Sequence, residues 1–340
     1  MDKEEYIPTN KKKFFTLENI LKVLLAFVLI FFVLSKTDFQ ALVDLRNRVS
    51  PIWVAFGFGL FFIMTLLKAL QYHLFLKQDV HYFQMLNIVV IQNVVSNFVA
   101  TGAGIASYFA LSRVGQGIKL SRSGVAFLLT KVGDVIAIWV FLLVSGVWIW
   151  EQIIPVQGLV IGLLLLMGFA ILVVVLSILF RQTFSTQFRR WMEKLKLGHI
   201  KFVRLGLNVL DEVVAQDEIF SLRLLGLATI YSLVYLLVTM VWFYANIRAF
   251  DIEIGMVAVV FVNVFIQLLS NIPIQAFGGL GINESTSLYL YQFFYSGQQE
   301  LASALIGIRI LFYLMNLATL LYLPVNKLIE DEKTAKLNSE

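Results

Sequence analysis

Six long runs, 17–35, 51–70, 123–150, 157–180, 222–246 and 299–325, each hold at most two charged side chains. A helix rises about 1.5 Å per residue and the hydrocarbon core is about 30 Å thick, so about 20 such residues cross a bilayer. Runs that are apolar all round cannot serve as surface helices of a soluble domain. The chain therefore reads as an all-α polytopic membrane protein. Its composition agrees: it is 59% hydrophobic and 14% charged, where soluble domains stand near 45–50% and 25%. The first run follows Lys11, Lys12 and Lys13 like a signal peptide, but it is long and has no small-residue cleavage site. It is read as a retained first helix.

Two further apolar regions are interrupted. Region 83–115 breaks at Gly102 and Gly104, and region 255–295 at Pro273, Gly278, Gly279 and Gly281. Irregular backbone at membrane depth must line a cavity, because lipid cannot satisfy its hydrogen bonds. Both regions are expected to be re-entrant helical hairpins. The stretch SNIPIQAFGGLGINES at 270–285 is the more polar of the two breaks and carries Glu284.

Charge sets the expected orientation. Lys11–Lys13, the group Arg113, Lys119 and Arg122, and the basic loop 181–204 all fall on one side if each hairpin enters and leaves on the same face. That side is the cytoplasm by the positive-inside rule, which puts both termini there and the protein in the cell membrane. The expected divisions are an N-terminal segment 1–16, a first repeat 17–150, a second repeat 157–325 with a cytoplasmic loop 181–221, and a tail 326–340. Segment 200–220 is expected to lie along the interface as an amphipathic helix. Trp53, Trp139, Trp148, Trp150 and Trp242 suit interfacial belts, and Lys22 and Lys68 are read as snorkelling from helix ends.

The halves echo each other. IQNVVSN at 91–97 matches IQLLSN at 266–271, pairing Ser96-Asn97 with Ser270-Asn271, and each is followed by a Gly-rich stretch. Lys131 lies 34 residues past Asn97, and Arg309 lies 38 past Asn271. Since the units start on opposite sides, the expectation is an inverted repeat of three helices plus a hairpin, with a central cavity. Intramembrane charges are costly and commonly functional. Lys131 is expected to pair with Asp134 and Arg309 with Glu284, two cations balanced by two acids. Candidate substrate-binding residues are Arg309, Lys131, Glu284, Asp134, Ser96, Asn97, Ser270, Asn271, Gly279 and Gly281.

Other chemistries find little support. Cysteine is absent, and His73, His81 and His199 form no close pair, so a zinc site is not expected. No nucleotide-binding motif is present and no cofactor is implied. The net charge of +5 reads as membrane orientation rather than nucleic-acid binding.

SNFVATGAGIASYFALSR with GVAFLLTKVGD, and SNIPIQAFGGLGINES with GQQELASALIGIRILFYL, resemble the two signature regions of the lysylphosphatidylglycerol synthase transmembrane, flippase-like family. The second has a Pro, then Gly-Gly-x-Gly-x-x-Glu, then an Arg. In the first, Lys131-Val132-Gly133-Asp134 stands where the family carries Arg-x-x-Asp, and the family's Pro-Gly-Gly form is missing. The resemblance spans about 17–325. It implies a lipid translocase. The soluble aminoacyl-transfer domain of some members is not seen, so aminoacyl transfer is expected to be absent. The expected function is movement of an anionic phospholipid or polyprenyl-phosphate-linked lipid, with membrane lipids as partners and homo-oligomers possible. The alternatives are a non-transporting accessory protein of envelope lipid or glycan biosynthesis, and a gradient-driven small-solute transporter.

Overall fold

A computed structural model describes residues 49–180, 187, 190, 222–270 and 279–323. The expected first helix, most of basic loop 181–221, the interfacial segment 200–220, Pro273, Asn271 and the tail lie outside those residues. Among the described residues all regular structure is helical. The α-helices are α1 (Pro51–Leu76), α2 (Tyr82–Phe98), α3 (Thr101–Ala110), α4 (Leu120–Trp148), α5 (Gln157–Leu179), α6 (Leu222–Ala249), α7 (Met256–Ser270), α8 (Ile282–Tyr291) and α9 (Gln298–Leu320). A π-helical turn, Leu111–Gly115, ends α3, and a 3-10 turn, Trp150–Val156, leads into α5.

Among the described residues five helical segments are long and apolar enough to cross a membrane: α1, α4, Trp150–Ser177, α6 and α9. They match the five expected spans that fall on described residues. α1 starts where Pro51 sits at the first helical positions, which need no N–H. It continues past 70 to Leu76, and this moves Lys68 away from a helix end. Trp150–Ser177, which contains most of α5, is the least buried of these, with 11% of its apolar window covered by the described residues. It leans on α4, where Trp139 Nε1 donates to Leu164 O at 2.9 Å and Gly168 lies under the same indole.

The broken regions fold back on themselves. α2 and α3 meet at Gly104, where a Cβ would stand 2.5 Å from Ser96 Oγ and 2.8 Å from Gln92 O. Ser96 and Gly104 are equidistant in sequence from Ala100, so the two arms run antiparallel. The break falls at Val99–Ala100, with Ala100 extended (φ −166°, ψ 151°). It does not fall at Gly102 and Gly104, which lie inside α3. Glycine there serves close approach of two backbones rather than chain reversal. α7 and α8 also pair, with Asn263 Nδ2 donating to Tyr291 OH at 3.1 Å. Gly279 (φ 77°) and Gly281 (φ 84°) do stand at this second break, in the left-handed region.

Contacts between helix ends fix the arrangement. Ser50 N donates to Ala249 O at 2.9 Å, joining the start of α1 to the end of α6. At the opposite end Arg122 Nε is 2.8 Å from Asp79 Oδ2, and Tyr322 OH reaches Phe83 O at 3.5 Å. Both arms of the α2–α3 hairpin start from this second end; those of α7–α8 start from the first, beside Phe250 and Ile252. The second end carries Lys77, Arg113, Lys119, Arg122 and Arg223 with Asp79. The first carries Glu151, Asp251, Glu253 and Glu300 with Arg248.

Two apolar clusters hold the bundle. One gathers Tyr72, Met85, Tyr108 and Val125 from α1 to α4. The other gathers Leu142, Phe261, Tyr291 and Leu301 from α4, α7, α8 and α9. Trp242 is 2% exposed and packs beside Met315 in a third, smaller cluster. This corrects the interfacial reading: its indole N–H faces Met315 Sδ at 3.3 Å inside the protein. Trp148, by contrast, is 77% exposed.

Candidate functional site

Asp134 lies in the middle of α4 and is held from two other helices. Its Oδ2 takes Lys68 Nζ of α1 at 2.7 Å. Its Oδ1 accepts from Ser232 Oγ of α6 at 2.9 Å and from Gln71 Nε2 of α1 at 3.3 Å. Gln71 also donates to Ser232. α4 and α6 come this close because Gly133 precedes the acid; a Cβ there would meet Ser232 Oγ at 3.0 Å and Ala228 O at 3.1 Å.

Lys68 is therefore no snorkelling residue. It is 13% exposed and bonded to Asp134 and to Gln71 Oε1 at 2.8 Å, and it sits 5.0 Å from the centre of the Tyr235 ring. Asp134's nearest cation is Lys68 and not Lys131, whose Nζ stands 3.8 Å away with its side chain 37% exposed. The i, i+3 spacing brings Lys131 near the acid, but the extended α1 supplies a lysine that reaches it more closely.

The second charged pair forms as expected. Arg309 Nε of α9 is 3.2 Å from Glu284 Oε1 of α8, both about a tenth exposed. Glu284 Oε2 also accepts from Gly281 N at 2.6 Å. This is a capping contact at the start of α8 that ties the left-handed glycine turn to the acid. The guanidinium lies 5.4 and 5.2 Å from the Phe312 and Tyr313 rings, within cation–π range.

Between these pairs lie two adjoining cavities. The first, about 190 Å³, is bordered by Lys68, Lys131 and Asp134. The second, about 210 Å³, reaches Arg309 and Asn283. They share the walls formed by Asn93, Ser96, Asn97, Tyr235, Gln267 and Ser270. Ser96, Asn97 and Ser270 thus meet at this waist, supplied by the two hairpins, and Asn97 Nδ2 also donates to Asn316 Oδ1 of α9 at 2.7 Å. Gly279 and Gly281 form the turn behind Glu284. Asn271 lies outside the described residues. Lys131 and Arg309 border different chambers.

The charge count also changes. Among the described residues Lys68, Lys131 and Arg309 face Asp134 and Glu284, an excess of one positive charge where sequence reading expected balance. Lys68 and the waist residues Asn93, Gln267 and Tyr235 were missed. The signal for Gln267 was present, since it pairs with Gln92 in the IQ repeat. Among the described residues no group of His, Asp or Glu is arranged for a metal.

These features define a polytopic helical membrane protein with a charged cavity between two helical hairpins. The chain belongs to the lysylphosphatidylglycerol synthase TM region family, which matches residues 19–319. No curated protein and no solved structure matches it. Family and spans together fit a membrane protein of lipid biosynthesis or transport.

Proposed function

We propose that this protein moves an anionic phospholipid or polyprenyl-phosphate-linked lipid across the cell membrane, with the head group in the polar cavity and the chains in lipid. The observation that carries this reading is, among the described residues, three cations against two carboxylates around a polar cavity between apolar helices. A cavity with net positive charge at membrane depth attracts an anion. A phosphate supplies one. Arginine's planar fork suits phosphate oxygens in a bidentate contact, which would loosen Arg309 from Glu284.

The hairpins, rooted at opposite ends of the bundle, support an inverted repeat with re-entrant tips facing the cavity, as alternating access requires. The basic end is the cytoplasmic one. The protein carries its cargo without altering it and performs no aminoacyl transfer.

The test is lipid movement in proteoliposomes by folded protein. Arg309→Gln reduces movement to the protein-free background, Arg309→Lys retains part of it, and Glu284→Gln slows release with the fold intact by circular dichroism. Full activity of Arg309→Gln would leave the cation a structural role and make an accessory protein the better reading.

A further inference from the structure

Resting on the transport reading, the chamber at Asp134 also bears on how movement is driven in a chain without a nucleotide-binding motif. We propose that Lys131 carries an exchangeable proton, bound when an anionic head group enters its chamber and released when the head group leaves, so that lipid and proton cross together.

The two lysines at Asp134 are not equivalent. Lys68 Nζ is 2.7 Å from Asp134 Oδ2 and also donates to Gln71 Oε1 at 2.8 Å. Lys131 Nζ faces the same Oδ2 from 3.8 Å, and its side chain is the more exposed of the two. One carboxylate thus meets two amines. The cluster is neutral with one amine protonated and carries one positive charge with both. Lys68, fixed by two hydrogen bonds, is the amine that keeps its proton, and Lys131, open to the chamber, is the one that exchanges it. A lysine amine can give up a proton in a protein, whereas a guanidinium does not.

The rest of the chamber brings no competing group. Among the described residues its border adds the phenols Tyr72 of α1 and Tyr235 of α6, with neutral amides and hydroxyls from α2, α3, α6 and α7. Phenols are neutral in the physiological range. Glu284 and Arg309 balance one another in the adjoining chamber. An anion beside Lys131 therefore favours the doubly protonated cluster, and by linkage the proton favours the anion to the same degree. As the anion enters, the Lys131 lone pair takes a proton from hydronium in the chamber, forming an N–H bond and leaving water. When the anion leaves, that bond breaks and the proton returns to water. An anion that travels with one proton crosses without net charge, so it responds to a pH difference and not to voltage.

The experiment uses the full-length protein in proteoliposomes with phosphatidylglycerol bearing a short fluorescent acyl chain, quenched chemically from outside. Valinomycin with equal potassium on both sides holds the voltage at zero while a pH difference of about one unit is imposed. With one proton per lipid, the label is expected to enrich up to about tenfold in the leaflet on the alkaline side, beyond protein-free vesicles. Lys131→Arg keeps the charge and holds its proton, so this enrichment is expected to vanish. In weakly buffered detergent, about one proton is expected to be taken up per phosphatidylglycerol bound to the wild-type protein, and none per lipid bound to Lys131→Arg or Lys131→Gln. Equal label in both leaflets of wild-type vesicles under the gradient would overturn the inference and leave lipid transport standing. A Lys131→Arg protein that still follows the gradient would overturn the assignment to Lys131. No wild-type movement beyond protein-free vesicles would remove the transport reading itself.

Discussion

Asp134 accepts from α1 and α6 at once, so charge removal there costs more than one bond. Asp134→Asn leaves Lys68 buried without its counter-ion, and Lys68→Met leaves the carboxylate to Ser232, Gln71 and the more distant Lys131. Breaking a buried pair from one side costs about 3–5 kcal/mol, whereas replacing both partners by apolar groups can be neutral. Each single change should lower the melting temperature in detergent clearly, and Lys68→Met with Asp134→Leu should recover most of that loss. Additive losses in the double variant would show that the two side chains act independently. Lys131→Gln should leave the melting temperature nearly unchanged, since its ammonium is 3.8 Å from Asp134 and 37% exposed. Sequence exposed the Arg309–Glu284 pair because a lone cation and a lone acid in apolar surroundings have few other partners. It concealed Lys68, because the apolar run fades before α1 ends at Leu76 and the lysine looks terminal when it is not.

At the scale of the element, both helix breaks were legible from glycine content, the first also from an arm too short to cross. The first turn was misplaced because glycine has two uses that read as the same letter. In α7–α8, Gly279 and Gly281 adopt φ of 77° and 84°, which L side chains disfavour. In α2–α3 the chain reverses at Val99–Ala100, and Gly104 instead admits the backbone of α2. A side chain at 104 must push Gln92 O and Ser96 away. Overpacking of this kind costs about 1–3 kcal/mol, so Gly104→Val should destabilise the protein by that amount and separate the arms at the cavity wall. Gly124→Ala in α4, where an added Cβ meets nothing within 4 Å, is the control and should be neutral or slightly stabilising. Thermal unfolding of the two variants side by side checks this; equal melting temperatures would mean that the arms do not approach as closely as Gly104 indicates.

For the whole molecule, the difference in charge between the two ends of the bundle bears on orientation. Sequence counts drew on Lys11–Lys13 and loop 181–204, nearly all of which lie outside the described residues, yet the described residues carry the same sign. Lys119, Arg122 and Arg223 gather at the end where Arg122 meets Asp79, and Glu151, Asp251 and Glu253 gather where Ser50 meets Ala249. Lys and Arg near helix ends are retained on the cytoplasmic side during insertion, so the first of these ends is the one expected to face the cytoplasm. On the proposed re-entrant reading, with α2–α3 rooted at the basic end and α7–α8 at the acidic end, neither hairpin changes the side of the helix that follows. The chain contains no cysteine, so single cysteines report without background. Lys119→Cys should react with a membrane-impermeant maleimide only after the cytoplasmic face is opened. Glu151→Cys and Ser296→Cys, both exposed at the acidic end, should react in intact cells. If α7–α8 crossed with a single arm, Glu151 and Ser296 would label from opposite sides; if α2–α3 did, both would lose labelling in intact cells and Lys119→Cys would gain it. Labelling of Lys119→Cys in intact cells would reverse the orientation altogether, and with it the direction in which a head group meets the Lys131 chamber before the Arg309 chamber.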